Sequence, residues 1–454
     1  MHATLDKLKH TLHTLFTPSD WLARIVFWGG ALLVGLASAL FALGSEEASQ
    51  LFRQVENEYR YLPLLLTPLG LAAIALITRR YFPGAQGSGI PQAIAALDIP
   101  PQLQHLRSAV LSLRIAFGKI LLTLLGLLCG ASIGREGPTV HIGASIMYAI
   151  GQFANFPRHY LDKSLIIAGG AAGIAAAFNT PLAGIVFAIE EMARSFEERT
   201  SGTMLTAVII AGVTALAILD NYTYFGTSHA ALELGSSWIV VPVVGVCGGL
   251  LGGLFARMLV SGSRWIAPLL KQQPIMVPAL CGLVVAITGI LSGGSVYGTG
   301  YPEAQAVITG SGEVSNAFPF LKIIATVASY LSGIPGGIFA PSLATGAGLG
   351  AVMAQFFSGP EVQAIVILTM VAYFAGVVQT PITAFVIVME MTDNHAMVLP
   401  LMATAFIAYG ASKLICKEPI YRALAQEFLD RLRATEPELA ETDKPTEAKS
   451  DSSH

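Results

Sequence analysis

Three short segments of this chain begin with glycine and end with proline, and they are the first candidates for ion binding. They are residues 87–91 (GSGIP), 134–138 (GREGP) and 337–341 (GIFAP). Proline in a first helical turn, after glycine, marks a helix N-terminus. The free backbone N–H groups and the helix dipole at such a terminus attract anions without a full positive charge. Ser88 adds a hydroxyl donor, so the three segments together predict an anion site.

Two acidic positions lie in apolar sequence, where a carboxylate is costly. Glu136 is part of the second glycine–proline segment, and Glu191 follows Glu190 after an apolar run. A charge at the bilayer centre costs about 2.5–3.5 kcal/mol on insertion scales, so an intramembrane glutamate indicates function. The alternatives are that Glu136 only pairs with Arg135, and that Glu190 and Glu191 are solvated acids at an emerging helix end. Neighbours in sequence do not face each other on a helix, which disfavours the Arg135 pair.

Three further polar residues in apolar stretches have less direct interpretations. Glu390 is expected to be structural, capping a helix or pairing near Asp393. Lys119 either tunes the electric field along an anion path or is a snorkelling or paired side chain. His141 is expected to be a satisfied interior histidine rather than a pH sensor.

The elements that must position these residues occur twice. Residues 180–190 (TPLAGIVFAIE) realign with residues 380–390 (TPITAFVIVME) at an offset of 200, and Thr, Pro, Val and Glu coincide. The GREGP segment precedes GIFAP by 203 residues. A duplicated hydrophobic unit broken by glycine and proline is typical of transporters whose substrate site lies between two repeats.

The composition of the chain places it in a membrane. Of 454 residues, 54% are hydrophobic and 12% are charged, and the mean hydropathy is +0.64. A soluble domain carries about 25% charged residues. Several apolar segments are shorter than the ~20 residues that a membrane crossing needs, which is typical of helices that stop inside the protein. No basic tract predicts a nucleic-acid partner, and the four scattered cysteines indicate packing rather than disulfides or metal binding.

The predicted fold class is all-α integral membrane, with two inverted-topology helical repeats whose broken helices meet at a central anion pathway. Residues 1–20 are predicted to form a cytoplasmic N-terminal helix, and residues 21–220 the first membrane half. Residues 221–421 are the predicted second membrane half, and residues 422–454 a short polar cytoplasmic tail.

The first crossing is expected from Trp21 to Leu43, followed by a connection that runs to Arg60. Basic residues flank the second connection, among them Arg79 and Arg114. The positive-inside rule therefore puts that connection and both termini in the cytoplasm.

In its motifs the chain resembles the CLC family of chloride channels and proton-coupled chloride transporters. GSGIP, GREGP and GIFAP stand in the family's order, and Tyr421 follows near the end of the membrane region, in Pro419-Ile420-Tyr421. The resemblance implies a chloride site and two proton stations. The implied chloride ligands are the hydroxyls of Ser88 and Tyr421 and the backbone amides of Ile338 and Phe339, and the implied proton stations are the external gate Glu136 and the internal acid Glu191.

The physics of Glu136 agrees with a gate. Between helix N-termini its carboxylate can occupy an anion site in place of chloride, and protonation would remove the charge and free the site. One residue would thereby link proton and anion occupancy. Passive members of the family usually have an uncharged residue at the position of Glu191. Its presence favours proton-coupled chloride exchange, and a passive voltage- or pH-gated chloride channel is the alternative.

The remaining expectations concern what the protein binds and where it lies. Ser88 favours chloride, because relatives selective for nitrate tend to carry proline at that position. An intramembrane enzyme is disfavoured, since no HExxH or GxSxG motif occurs. We expect no cofactor, with chloride and protons as the transported ions. The resemblance implies a homodimer with one pathway per subunit, and we expect a multi-pass protein of the bacterial inner (plasma) membrane.

Overall fold

In the described part of the chain, the regular secondary structure of this fold is helical. The computed structural model describes residues 18–100, 103–153, 163–193, 198–220, 222–233 and 235–435. Within these ranges no extended strand forms, and the sheet-like pairing is limited to two isolated β-bridges. The prediction of an all-α fold is confirmed.

The helices are numbered in chain order and fall into two halves. The first half contains α1 (Pro18–Glu58), α2 (Pro63–Tyr81), α3 (Ile90–Asp98), α4 (Gln104–Val110), α5 (Leu113–Leu128), α6 (Glu136–Phe153), α7 (Leu165–Phe178), α8 (Pro181–Phe187) and α9 (Glu198–Leu219). The second half contains α10 (Val240–Gln272), α11 (Met276–Leu291), α12 (Tyr301–Thr309), α13 (Phe318–Leu331), α14 (Phe339–Ala354), α15 (Val362–Val378), α16 (Pro381–Thr392), α17 (Val398–Lys413) and α18 (Ile420–Thr435). A π-helical turn, Ala188–Ala193, continues α8.

Helix length divides the apolar helices of this chain into two groups. In the described part of the chain, five helical stretches are long and apolar enough to span a membrane, and seven shorter apolar helices accompany them. The short helix α7 is buried along its whole length, and α15 is buried from Ala364 onward. Broken helices are tolerated at membrane depth when protein surrounds their ends, and the burial of α7 and α15 meets that condition.

The breaks follow from the repeated sequence. The buried helices α7 and α15 each lead to a residue in the left-handed conformation, Asn179 (φ 56°) and Gln379 (φ 59°). Thr-Pro follows at both places, and the proline lies in the first turn of the next helix, α8 or α16. Because proline cannot continue a helix but suits its first turn, the chain turns at the same point in both halves.

A reciprocal pair of glutamates joins the two halves. The carboxylate of Glu190 accepts hydrogen bonds of 3.1 and 2.6 Å from the first N–H groups of α16, at residues 382–383. The carboxylate of Glu390 accepts bonds of 3.1 and 2.7 Å from the first N–H groups of α8, at residues 182–183. A carboxylate there satisfies N–H groups that have no partner within the helix and faces the positive end of its dipole. The capping role expected for Glu390 is confirmed, whereas Glu190 is not the solvated acid of the alternative interpretation.

Two predicted boundaries differ from the structure, and one predicted helix lies largely outside the residues that it describes. The predicted connection from residue 44 is wrong as far as Glu58, because α1 continues without a break to that residue. The tail predicted from residue 422 is not wholly irregular, because α18 extends to Thr435 and its N-terminal part packs into the core. The predicted N-terminal helix, residues 1–20, lies almost entirely outside the described residues.

Candidate functional site

The three glycine–proline segments meet at the centre of the protein. Gly134 and Gly337 exchange two backbone hydrogen bonds of 2.7 Å each, as an antiparallel bridge. Gly87 donates to the carbonyl of Ile334 at 3.0 Å and accepts from the N–H of Gly336 at 3.1 Å. The starts of α3, α6 and α14 therefore converge, as the sequence predicts for a shared anion site.

The close approach of these segments depends on glycine. A β-carbon at position 137 would lie 2.0 Å from Ser88 Oγ, and one at position 134 would lie 2.3 Å from Glu136 Oε2. Gly89, which precedes α3, has a φ of 105°, a conformation that side chains disfavour. A larger residue at position 134 or 137 would push apart the groups that surround the site.

The four residues implied as chloride ligands are buried, and two of them carry unused hydroxyls. Ser88, Tyr421, Ile338 and Phe339 are each 1% exposed. The hydroxyls of Ser88 and Tyr421 have no hydrogen-bond partner. Buried polar groups are nearly always paired, so these two hydroxyls are candidates for donating to a ligand that accepts hydrogen bonds. Tyr421 also lies within electrostatic reach of both Glu136 and Glu191.

Glu136 lies at the start of α6 and is fully buried. Neither of its carboxylate oxygens has a hydrogen-bond partner with good geometry. The backbone amides of Arg135 and Ala340 are close enough to stabilise its charge electrostatically, as is the guanidinium of Arg135. The alternative of a simple pair with Arg135 is not seen, because Arg135 Nη1 donates instead to the carbonyl oxygen of Ala42 at 2.7 Å. The Glu136 carboxylate thus occupies a place where helix N-termini favour an anion.

Glu191 is also fully buried. Its neighbour Glu190 has a different environment, because it accepts a hydrogen bond at the start of α16. Both belong to the π-helical turn Ala188–Ala193. Such turns are rare and occur frequently at functional sites. The alternative that both acids are solvated at a helix end is therefore wrong for both residues.

Two cavities approach this centre. The Ser88 cavity has a volume of about 500 Å³ and is lined by Ser88, Tyr330, Arg79, Lys271 and Arg431, among other residues. The Arg135 cavity has a volume of about 490 Å³ and is lined by Arg135, Arg53, Glu46, Tyr222 and Tyr301, among others. Glu136 lines neither cavity and is fully buried.

Buried lysines hold the loops around the centre. Lys119 donates to the carbonyl oxygens of Ala85 and Gly87, at 2.8 and 3.2 Å. It is a paired side chain, and it ties down the loop that carries Ser88. His141 is an interior histidine as expected, with Nε2 3.1 Å from the carbonyl oxygen of Val110.

The second half contains a counterpart of this arrangement that was not predicted from the sequence. Lys322, 203 residues after Lys119, donates to the carbonyl oxygens of Val296 and Gly298, at 2.8 Å each. The loop it holds is residues 298–302 (GTGYP), which mirrors GSGIP. Lys322 could have been recognised from the sequence, because the offset of 203 residues that relates GREGP to GIFAP also relates Lys119 to Lys322.

The sequence of this chain is similar to those of known membrane transport proteins. The voltage gated chloride channel family matches residues 69–413. The H(+)/Cl(-) exchange transporter ClcA of Yersinia pestis bv. Antiqua (strain Angola) is 31% identical over 407 residues, which cover 82% of this chain and 81% of that protein.

Two solved structures share the fold. A slow cyanobacterial Cl-/H+ antiporter has a TM-score of 0.77 and 26% identity, covering 92% of this chain and 99% of that one. A CLC-type fluoride/proton antiporter also has a TM-score of 0.77, with 23% identity, and covers 90% of this chain and 99% of its own. At that identity the second likeness concerns the fold alone.

Proposed function

The chain belongs to the voltage gated chloride channel family, and from that premise we propose that it exchanges chloride for protons across a membrane. The observation that carries the proposal is the place of Glu136. It is a fully buried carboxylate close to the backbone N–H groups of Arg135 and Ala340, and it lies where three helix starts converge. A second buried acid, Glu191, supports proton coupling. The similarity to chloride/proton exchangers agrees with this assignment.

Chloride binds through neutral donors in this proposal. The hydroxyls of Ser88 and Tyr421 and the backbone amides of Ile338 and Phe339 surround one ion. Dipoles and hydroxyls at a helix start attract an anion, yet they hold it more weakly than a buried lysine or arginine would. Conduction needs binding that is favourable enough for entry and weak enough for release. Ser88, in place of the proline of nitrate-selective relatives, favours chloride.

Proton coupling follows from competition between the Glu136 carboxylate and chloride. When ionised, Glu136 occupies an anion position and blocks passage between the Ser88 and Arg135 cavities. When protonated, it loses its attraction for the helix starts and leaves the position to chloride. Each species then alters the affinity for the other. Glu191 is buried and within electrostatic reach of Tyr421, and it passes the proton between Glu136 and the solution.

The proposal also includes a setting for the protein. The Ser88 cavity faces the cytoplasm, because Arg79, Lys271 and Arg431 surround it and basic residues concentrate on the cytoplasmic side. Both termini then lie in the cytoplasm, and the protein is a multi-pass protein of the bacterial inner membrane. It works as a homodimer with one pathway per subunit. It requires no cofactor beyond the ions it transports.

One experiment tests the exchange directly. The purified protein is reconstituted in liposomes loaded with chloride, and the external pH is followed when chloride leaves down its gradient. Exchange drives protons into the liposomes against their gradient, and a proton ionophore collapses the signal. Chloride efflux without proton uptake would show a passive channel instead.

A further inference from the structure

The Ser88 cavity is lined by a carboxylate, although a negative charge repels the chloride ions that would enter there. Glu427 lies on α18 and lines the cavity together with Arg79, Lys271 and Arg431. It is the one acid among the described lining residues. Because the same cavity is lined by Ser88, a charge at its mouth acts on every chloride ion that enters from this side.

Glu427 bridges two helices that form the cavity wall. Its Oε1 accepts a hydrogen bond of 2.7 Å from Nε of Arg264 on α10, and its Oε2 lies 3.7 Å from Nη2 of Arg431 on α18. The Glu427 side chain is 13% exposed, whereas that of Arg264 is 61% exposed. The carboxylate is therefore held inside the wall, while its partner reaches toward solvent.

We propose that Glu427 sets the chloride affinity of the Ser88 cavity. As a carboxylate it holds Arg264 and lowers the positive potential of the cavity, and as a neutral acid it releases Arg264 and raises that potential. This inference rests on the proposed transport of chloride, and it adds a residue outside the central site that responds to cytoplasmic acid.

The surroundings of Glu427 allow this change of charge. From α10 it faces Arg264, from α13 it faces Tyr330, and on its own helix it has Arg431 and Asp430 as charged neighbours. Burial raises the pKa of the Glu427 carboxyl above its ordinary value, while the hydrogen bond and charge of Arg264 act in the opposite direction. A raised pKa means that the neutral form is reached at a less acidic pH than an exposed glutamate requires. Acid on this side should then strengthen chloride binding, since chloride favours the neutral form.

The test measures chloride dependence on each side of the membrane separately. Wild type and Glu427→Gln are recorded in planar bilayers, with chloride varied on one side at a time, at neutral and at acidic pH. Glutamine keeps the size of the side chain and cannot ionise. We expect the half-saturating chloride concentration of Glu427→Gln to be about two- to tenfold lower on one side only. On that side, acidification should lower the wild-type value more than the variant's.

Two companion variants keep the inference testable if glutamine at position 427 impairs folding. Arg264→Gln leaves the carboxylate without its partner and should raise the half-saturating concentration on the same side. Glu303→Gln is the matched control, because Glu303 forms a 3.0 Å ion pair with Arg53 beside the Arg135 cavity. It should leave the chloride dependence at the Ser88 cavity unchanged.

The outcomes separate this inference from the proposed function. If wild type moves chloride with protons but Glu427→Gln and Arg264→Gln match it on both sides, the role of Glu427 is refuted and exchange stands. If wild type moves chloride without protons, the exchange proposal fails. The role of Glu427 is then still tested, because Glu427→Gln should lower the half-saturating chloride concentration on one side only.

Discussion

The two halves of this molecule share a framework but differ at the positions that could exchange protons. At the offset of 203, Glu136 of the first half corresponds to Phe339 of the second. At the offset of 200, Glu191 corresponds to Met391. Both acids of the proposed proton path therefore lie in the first half, and both counterparts are buried apolar side chains.

By contrast, the residues that hold the framework are kept in both halves. Glu190 caps the start of α16, and Glu390 caps the start of α8. Lys119 and Lys322 each donate hydrogen bonds to two carbonyl oxygens of a loop. After a duplication, either copy could have gained the acids. The framework is therefore the same in both halves, whereas the acids proposed to carry protons occur only in the first half.

The largest expected effect comes from removing the gate acid of the first half. Glu136→Gln should reduce chloride-driven proton transport by about 100-fold or more, because the group that exchanges a proton with the anion site is gone. Chloride flux should persist, since the neutral side chain leaves the position to the ion. Proton uptake by liposomes under a chloride gradient measures the change.

Its control is the apolar counterpart. Phe339→Leu keeps the backbone amide that is a proposed chloride ligand and should retain proton coupling. Pumping by Glu136→Gln at the wild-type rate would show that the gate lies elsewhere.

A second large effect should separate Glu191 from its counterpart. Glu191→Gln should abolish proton movement, by about 100-fold or more, while chloride still passes. Met391→Gln places the same amide at the equivalent position of the second half and should leave the ratio of protons to chloride as it is. Simultaneous recording of chloride efflux and pH gives this ratio. Equal ratios for wild type and Glu191→Gln would mean that the acid is only structural.

A smaller effect is expected for the choice of anion. Ser88→Pro should raise permeation of nitrate relative to chloride by several-fold, up to about tenfold, because it removes a hydroxyl that is a proposed chloride ligand. Its counterpart Thr299 opens to the Arg135 cavity, so Thr299→Val should leave the ratio near the wild-type value. Flux assays with mixed anions measure the ratio, and an unaltered ratio in Ser88→Pro would exclude Ser88 as an ion contact.

The smallest effect should be equal in the two halves. Glu190→Gln and Glu390→Gln each weaken one charge-assisted helix cap and should cost about 0.5–2 kcal/mol of stability. Thermal unfolding in detergent compares them. Melting temperatures lowered by similar amounts would support two equivalent caps, and a loss confined to one variant would show that the symmetry is only geometric.

Much of the fold and part of the site could be predicted from the sequence. The breaks before α8 and α16 follow from Thr-Pro after a buried apolar run, and Glu390 could be assigned to capping. The continuation of α1 to Glu58 could not be predicted from the sequence, because the last turns of this helix are polar and resemble a loop in composition. The burial of Glu191 was equally hidden, since two adjacent glutamates after an apolar run also fit a helix that emerges into water.

The sequence by itself determined that the chain is a duplicated membrane protein with glycine–proline helix starts and a glutamate within one of them, because these features depend on residue type and local spacing. Only the tertiary structure decided which side chains share a site. Gly134 and Gly337 are 203 residues apart, and their two 2.7 Å hydrogen bonds exist only after both halves have packed. The partners of Lys119, the cap of Glu190 and the bridge from Glu427 to Arg264 likewise join distant segments. Such contacts depend on how helices pack, which no local pattern specifies.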